Sequence, residues 1–121
     1  MIGYVTVGSN NLPRAFAFYD ALLGEIGAKR SWDSETFVAW GTKRGPALAV
    51  VKPFNGETAT VGNGAMVALA MKNREDVDRL YAKAMSLGAS DEGAAGSRGE
   101  GFYAGYFRDL DGNKLSAFFM G

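Results

Sequence analysis

The chain contains no histidine and no cysteine. Without cysteine there are no disulfides, no thiolate metal sites and no cysteine nucleophile, a composition that suits a reducing compartment. Without histidine there is no imidazole ligand and no nucleophile–histidine–acid set. An excess of either charge is also missing: 13 basic and 13 acidic residues cancel and form no long run of one sign. That argues against nucleic acid or an acidic membrane as partner. No apolar run reaches membrane-spanning length, and the opening Met1–Val7 has neither the charged flank nor the apolar stretch of a signal peptide. The expectation is a soluble, cytoplasmic protein. Its 121 residues, 47% of them apolar, make one domain or two small halves sharing a core. A chain of this length buries about two-thirds of its unfolded surface, enough for stability without disulfides or a structural metal.

What is present follows a repeated grammar. Ile2 to Gly8 alternates and is rich in β-branched residues, which predicts a strand. Asn10-Asn11-Leu12-Pro13 supplies an asparagine cap with proline in the first helical turn. Leu12, Phe16, Tyr19, Leu23 and Ile26 then recur at helical spacing, and Gly27 stops the run. Strands are predicted around Ala28–Trp32, Glu35–Gly41 and Ala47–Val51, with turn residues at 42–46. The second half repeats this. Gly64–Met71 reads as a strand, Asn73 to Asp76 as a cap, and Val77, Leu80, Tyr81, Ala84 and Leu87 as a helical stripe ended by Gly88. A weak strand near Ala89–Asp91 leads into a glycine-rich loop from Gly93 to Gly99. Phe102–Phe107 and Asn113–Phe119 then form a hairpin across Arg108-Asp109-Leu110-Asp111-Gly112, where aspartate bonds its own backbone and glycine accepts positive φ. Superposing the halves pairs Tyr4 with Met66, Tyr19 with Tyr81, Phe37 with Tyr103 and Trp40 with Tyr106. Ala49 falls on Ser116 after one residue inserted in the second hairpin turn.

This tandem βαβββ plan resembles the vicinal oxygen chelate superfamily of glyoxalases, extradiol dioxygenases and bleomycin-resistance proteins. Tyr4–Gly8 followed by Leu12–Asp20 is similar to the family's first strand and its helix ending in "FYD". Gly93–Arg98 is similar to a "GxPGxR" stretch, and Phe102–Lys114 resembles the closing "YYAAYxRDPDGNK" hairpin, with Leu110 in place of proline. The resemblance implies an α+β fold in which two βαβββ modules form an eight-stranded, cup-shaped mixed sheet with helices outside. It makes residues 1–121 a single domain, with module one at 1–56, a linker at 57–62 and module two at 63–121. Carried onto this chain, the family's four metal positions are Tyr4, Ala49, Met66 and Ser116. Alanine has no donor atom, thioether suits soft ions, and neutral hydroxyls bind divalent ions feebly. No metal and no cofactor is therefore expected.

The family's register places Val5, Val7, Leu48, Val50, Val67, Leu69, Leu115, Ala117 and Phe119 against the helices. The cup face then carries Tyr4, Thr6, Ala49, Val51, Met66, Ala68, Ser116 and Phe118. To these the resemblance adds Val38, Trp40, Phe102, Ala104 and Tyr106. That is the composition of an apolar, aromatic-lined pocket, and its expected ligand contacts are Tyr4, Trp40, Met66, Phe102, Tyr106, Ser116 and Phe118. Trp40 and Tyr106 would stand as facing walls around a planar ligand, or else pack against each other or a partner chain. Lys114 and Arg108 would steer an anion or simply be solvated.

Asp109-Leu110-Asp111-Gly112 lacks the glycine position and bidentate glutamate of a calcium loop. The glycine-rich stretch joins no strand to a helix, so it is no phosphate loop. The reading is a metal-independent small-molecule-binding protein, its expected partners being one apolar or aromatic ligand and, by analogy with the family, a second copy in a homodimer. An enzyme stays open as the alternative: a lactoylglutathione-lyase-like protein, or another lyase or isomerase using tyrosine and serine hydroxyls, with Tyr4 or Tyr106 as acid or base. A non-catalytic dimerisation module is the third reading.

Overall fold

Two asparagines start the two helices. In the computed structural model, which describes residues 1–121, Asn11 Oδ1 accepts the Arg14 N–H at 3.3 Å and opens α1 (Leu12–Gly24). Asn73 Oδ1 accepts the Asp76 N–H at 2.8 Å and opens α2 (Arg74–Ser86). Each bond satisfies one of the amides that a helix start leaves without an intrahelical partner. Shortly after each helix the chain turns at a glycine of positive φ, Gly27 at +77° and Gly88 at +97°, a backbone state that other residues enter only with strain. Helix α1 buries Ala15, Phe18, Tyr19, Leu22 and Leu23, while α2 buries Val77, Leu80 and Ala84. Neither helix is long and apolar enough to cross a membrane.

The chain forms two compact units, Met1–Val61 and Gly62–Gly121. The first contains β1 (Tyr4–Gly8), α1, β2 (Lys29–Asp33), β3 (Phe37–Gly41) and β4 (Ala47–Val51). The second contains β5 (Val67–Ala70), α2, β6 (Ser90–Ser97), β7 (Phe102–Arg108) and β8 (Lys114–Met120). The eight strands make two four-stranded mixed sheets, ordered β1-β4-β3-β2 and β5-β8-β7-β6. In each sheet the first strand runs parallel to the last, and the other pairings are antiparallel.

The glycine-rich stretch expected as a loop is mostly strand: β6 runs through Ser97, with its register broken between Asp91 and Gly93 and again before Gly96. A Cβ at Gly93 or at Gly96 would lie 3.2 Å from the Arg98 guanidinium, so both glycines leave room for that side chain. The β7–β8 turn forms as its sequence predicts. Asp109 Oδ1 accepts the Asp111 and Asn113 amides, each at 2.9 Å, and Gly112 has φ +89°.

Register decides which side chains share a face, because paired residues point the same way and neighbours along a strand point opposite ways. In the first unit Val5, Val7, Leu48 and Val50 lie on the helix side, and Val38 and Trp40 lie with them: Val38 pairs with Val50 and Trp40 with Leu48. The other side, called here the open face, carries Tyr4, Thr6, Ala39, Ala47, Ala49, Phe37 and Val51. In the second unit Leu115, Ala117, Phe119, Tyr103 and Phe107 take the helix side. Its open face carries Ala68, Ala70, Ser116, Phe118, Phe102, Ala104 and Tyr106.

The superposition that equates Trp40 with Tyr106 is thereby corrected. One rung of the first sheet reads Thr6–Ala49–Ala39–Trp32 and its counterpart reads Ala68–Ser116–Tyr106–Gly93. Ala39, not Trp40, matches Tyr106, and the two hairpins are equally long from this rung. The extra residue therefore enters before β7 rather than in the turn after it.

Candidate functional site

Trp40 is shut between β3 and α1 and is only 2% exposed. Its indole Nε1 donates to Asp20 Oδ1 at 2.8 Å, and its ring packs on Phe16 and Tyr19 at centroid distances of 6.3 and 5.7 Å. Arg30 completes the cluster, donating to both carboxylate oxygens of Asp20 at 2.9 and 2.8 Å. Its guanidinium also lies 5.6 Å from the Phe16 ring centre. The Arg30 hydrogen bond, foremost, and the Trp40 bond hold the Asp20 carboxyl below the usual carboxylate range against the opposing effect of burial. This cluster joins α1 to its sheet, and Trp40 does not share a face with the other expected contact residues.

Those others do lie on open faces. Tyr4 is on that of the first unit, 61% exposed, with its ring edge-to-face on Phe37 at 6.1 Å. Ser116, Phe118, Phe102 and Tyr106 share the open face of the second unit. Met66 immediately precedes β5, where alternation sets it with Ala68 and Ala70. Phe102 and Phe118 stack at 5.8 Å with 29° between their planes.

The open face of the first unit is hollowed. A cavity of about 790 Å³ is floored by Thr6, Phe37 and Val51 and roofed by the segment from Pro53 to Thr60. A second hollow of about 410 Å³ lies over Tyr4, Trp32, Ala39 and Ala47, and Phe37 lines both. This segment takes in most of the linker expected at 57–62, and no local pattern in it announces that it folds back. Asn10 holds it: its Oδ1 accepts the Ala59 amide at 2.7 Å and its Nδ2 donates to the Ala59 carbonyl at 3.1 Å. Gly8 admits the close approach, since a Cβ there would fall 2.8 Å from that of Ala59.

Donor chemistry on these faces does not fit a divalent metal. Of the four positions that the resemblance assigns to one, Ala49 offers no donor, Ser116 and Tyr4 offer neutral hydroxyls and Met66 a thioether. Nowhere do three or more histidine, cysteine, aspartate or glutamate side chains gather into a group able to hold an ion. No catalytic step is derived through a metal.

Two tyrosines with hydrogen-bonded hydroxyls lie outside the open faces. Tyr81 on α2 donates to Asp91 at 2.7 Å, and Tyr103, on the helix side of β7, donates to Asp78 at 2.6 Å. The carboxylate acceptor stabilises the protonated phenol and pushes each pKa upward, away from use as a phenolate base.

A family model described as Glyoxalase/Bleomycin resistance protein/Dioxygenase superfamily matches residues 1–116. Among solved structures, a glyoxalase/bleomycin resistance protein from Albidiferax ferrireducens T118 is 32% identical, with a TM-score of 0.89 over 98% of both chains. A glyoxalase/bleomycin resistance protein/dioxygenase family enzyme from Burkholderia phytofirmans PsJN is 18% identical at a TM-score of 0.75, covering 96% of this chain and 95% of its own. A lactoylglutathione lyase from Agrobacterium tumefaciens is 20% identical at a TM-score of 0.72, covering 98% and 92%. The last two likenesses show the fold alone. Comparison with curated proteins gave no match.

Proposed function

Because the chain belongs to the Glyoxalase/Bleomycin resistance protein/Dioxygenase superfamily, we propose that it is a small-molecule-binding protein that takes an apolar or aromatic ligand without a divalent metal. The observation that carries this reading is the cavity of about 790 Å³ on the open face of the first unit, within the size range of small-molecule sites. Phe37 and Val51 supply apolar wall, Thr6, Thr36, Thr58 and Thr60 supply hydroxyls that orient a ligand, and Lys52 and Glu57 add one charge of each sign to the lining. The contacts proposed around this cavity are Tyr4, Thr6 and Phe37; the second unit, taken by itself, offers Met66, Phe102, Tyr106, Ser116 and Phe118 on its own open face. Trp40 is omitted, because its ring and its N–H are both engaged by α1.

The same reading makes the protein a cytoplasmic homodimer. Each unit leaves large apolar side chains exposed, Tyr4 and Trp32 on the first and Met66 and Met120 on the second, which supports a second copy covering some of them.

Phenylnaphthylamine, an uncharged probe that brightens in apolar surroundings, tests the binding. Saturable enhancement in the folded protein, weakened in Phe37→Ala, is the expected result; no enhancement overturns the reading. Native mass spectrometry of untagged protein tests the rest. A dimer mass without metal is expected, and a stoichiometric transition metal would return the chain to the metalloenzymes.

A further inference from the structure

The open face of the second unit carries charge of one sign without its complement. Lys114 Nζ lies 5.6 Å from the Tyr106 ring centre, and the Arg98 guanidinium lies 5.5 Å from the same centre. They approach from different segments of the chain. Lys114 is on β8, diagonal to Tyr106 across the β7–β8 ladder. Arg98 directly follows β6 and reaches back over Gly93, the residue paired with Tyr106.

Neither cation has a carboxylate partner. The hydrogen bonds of Arg98 go to the main-chain carbonyls of Ala94 and Ser97, while Lys114 forms no side-chain hydrogen bond or ion pair. The third cation nearby, Arg108, is already paired with Glu92. The carbonyl bonds orient the Arg98 guanidinium without neutralising it, and its remaining N–H groups stay available. Room for it is built in, since a Cβ at Gly93 or Gly96 would stand 3.2 Å from its nitrogens. A neutral aromatic ring attracts each cation only modestly and carries no neutralising charge, so both charges stay open to an anion.

We propose that Arg98 and Lys114, flanking Tyr106, form an anion subsite for the acidic group of an aromatic or apolar acid. The hydrocarbon part of that acid lies toward the stacked Phe102 and Phe118. Phe118 stands two residues along β8 from Ser116, the partner of Tyr106, a separation of about 7 Å that a single aromatic ring system spans. Exposed Ala68 and Ala70 pair with Ser116 and Phe118 and leave that stretch of the face uncrowded. The ligand class is thus an amphiphilic aromatic anion. This rests on the small-molecule-binding reading and narrows it.

Two probes with one aromatic skeleton separate the claims: anilinonaphthalene sulfonate carries an anionic group, and phenylnaphthylamine lacks it. The wild-type dimer or monomer, as it exists in solution, should bind the sulfonate more tightly, and that advantage should shrink as salt is raised. Lys114→Met keeps the stem and removes the charge; it should weaken the sulfonate about tenfold, the scale of one charge-assisted contact, and leave phenylnaphthylamine unchanged. Arg98→Gln should do the same. Should that variant lose its fold because the glycine bays collapse, Lys114→Met and the salt series still decide the matter. Benzoate but not benzamide should displace the sulfonate. Equal losses for both probes, or no loss, overturn the subsite while leaving apolar binding intact. Failure of the wild type to bind phenylnaphthylamine overturns the broader reading and the subsite with it.

Discussion

Trp40 and Asp20 are joined by a 2.8 Å hydrogen bond from indole Nε1 to carboxylate Oδ1, tying β3 to α1. The bond makes the largest buried side chain of the first unit a structural post. Trp40→Ala should cost about 3–5 kcal/mol through lost burial and the cavity left behind. Trp40→Phe should cost about 1 kcal/mol for the missing hydrogen bond. Urea denaturation measures both. Phenylnaphthylamine binding should survive in Trp40→Phe, and its disappearance from a folded Trp40→Phe variant would return Trp40 to the ligand site.

Asp20 gives this cluster a pH signature. Its pKa is depressed in the folded state, chiefly by the hydrogen bond from Arg30. The stability it contributes is therefore complete above the unfolded carboxyl value of about 3.9 and is lost as pH falls through the lower folded value. Its side chain is 44% exposed, so solvent screening keeps the ion-pair part small. Asp20→Asn should lower stability by about 1 kcal/mol at neutral pH, with the gap closing as pH falls below the ordinary carboxyl range. Melting temperatures across that range check the sign, and a gap that widens in acid would contradict the assignment.

Asn10 and Gly8 should control the roof of the first unit's cavity. Asn10→Ala removes both bonds to Ala59, which are solvent-accessible and worth about 1 kcal/mol together with their relaxation. The expected effect is local: hydrogen exchange at the Ala59 amide and proteolysis within 53–60 should rise while the sheet stays protected. Gly8→Ala drives a methyl into Ala59 and should loosen the same segment. Unchanged exchange at Ala59 in both variants would show that the roof is held by something else.

The order of elements was legible because caps, glycine stops and apolar periodicity act within a few residues. Asn11, Gly27, Asn73 and Gly88 all fall where the chain requires them. The face of β3 was not legible. Phe37, Val38, Ala39, Trp40 and Gly41 are apolar or small throughout, so alternation gives no contrast, and a shift of one residue exchanged Trp40 for Ala39. The hydroxyl-lined roof was hidden for another reason: Asn10 and Ala59 are far apart in sequence, and no local pattern announces such a contact. In the second unit the register implied by the resemblance agrees with the β7–β8 ladder, which sets Phe102, Tyr106, Ser116 and Phe118 on one face.

The matched rungs, Thr6–Ala49–Ala39–Trp32 and Ala68–Ser116–Tyr106–Gly93, distribute bulk in opposite ways. The first puts its one large ring on the outermost strand; the second moves it inward and empties the edge for an arginine. A chain that repeats a plan but not its contents is freed from symmetry. Substitutions can retune one half for charge and the other for shape, so mutational tolerance should differ between matched positions, with Ala39 and Tyr106 answering to different selective demands.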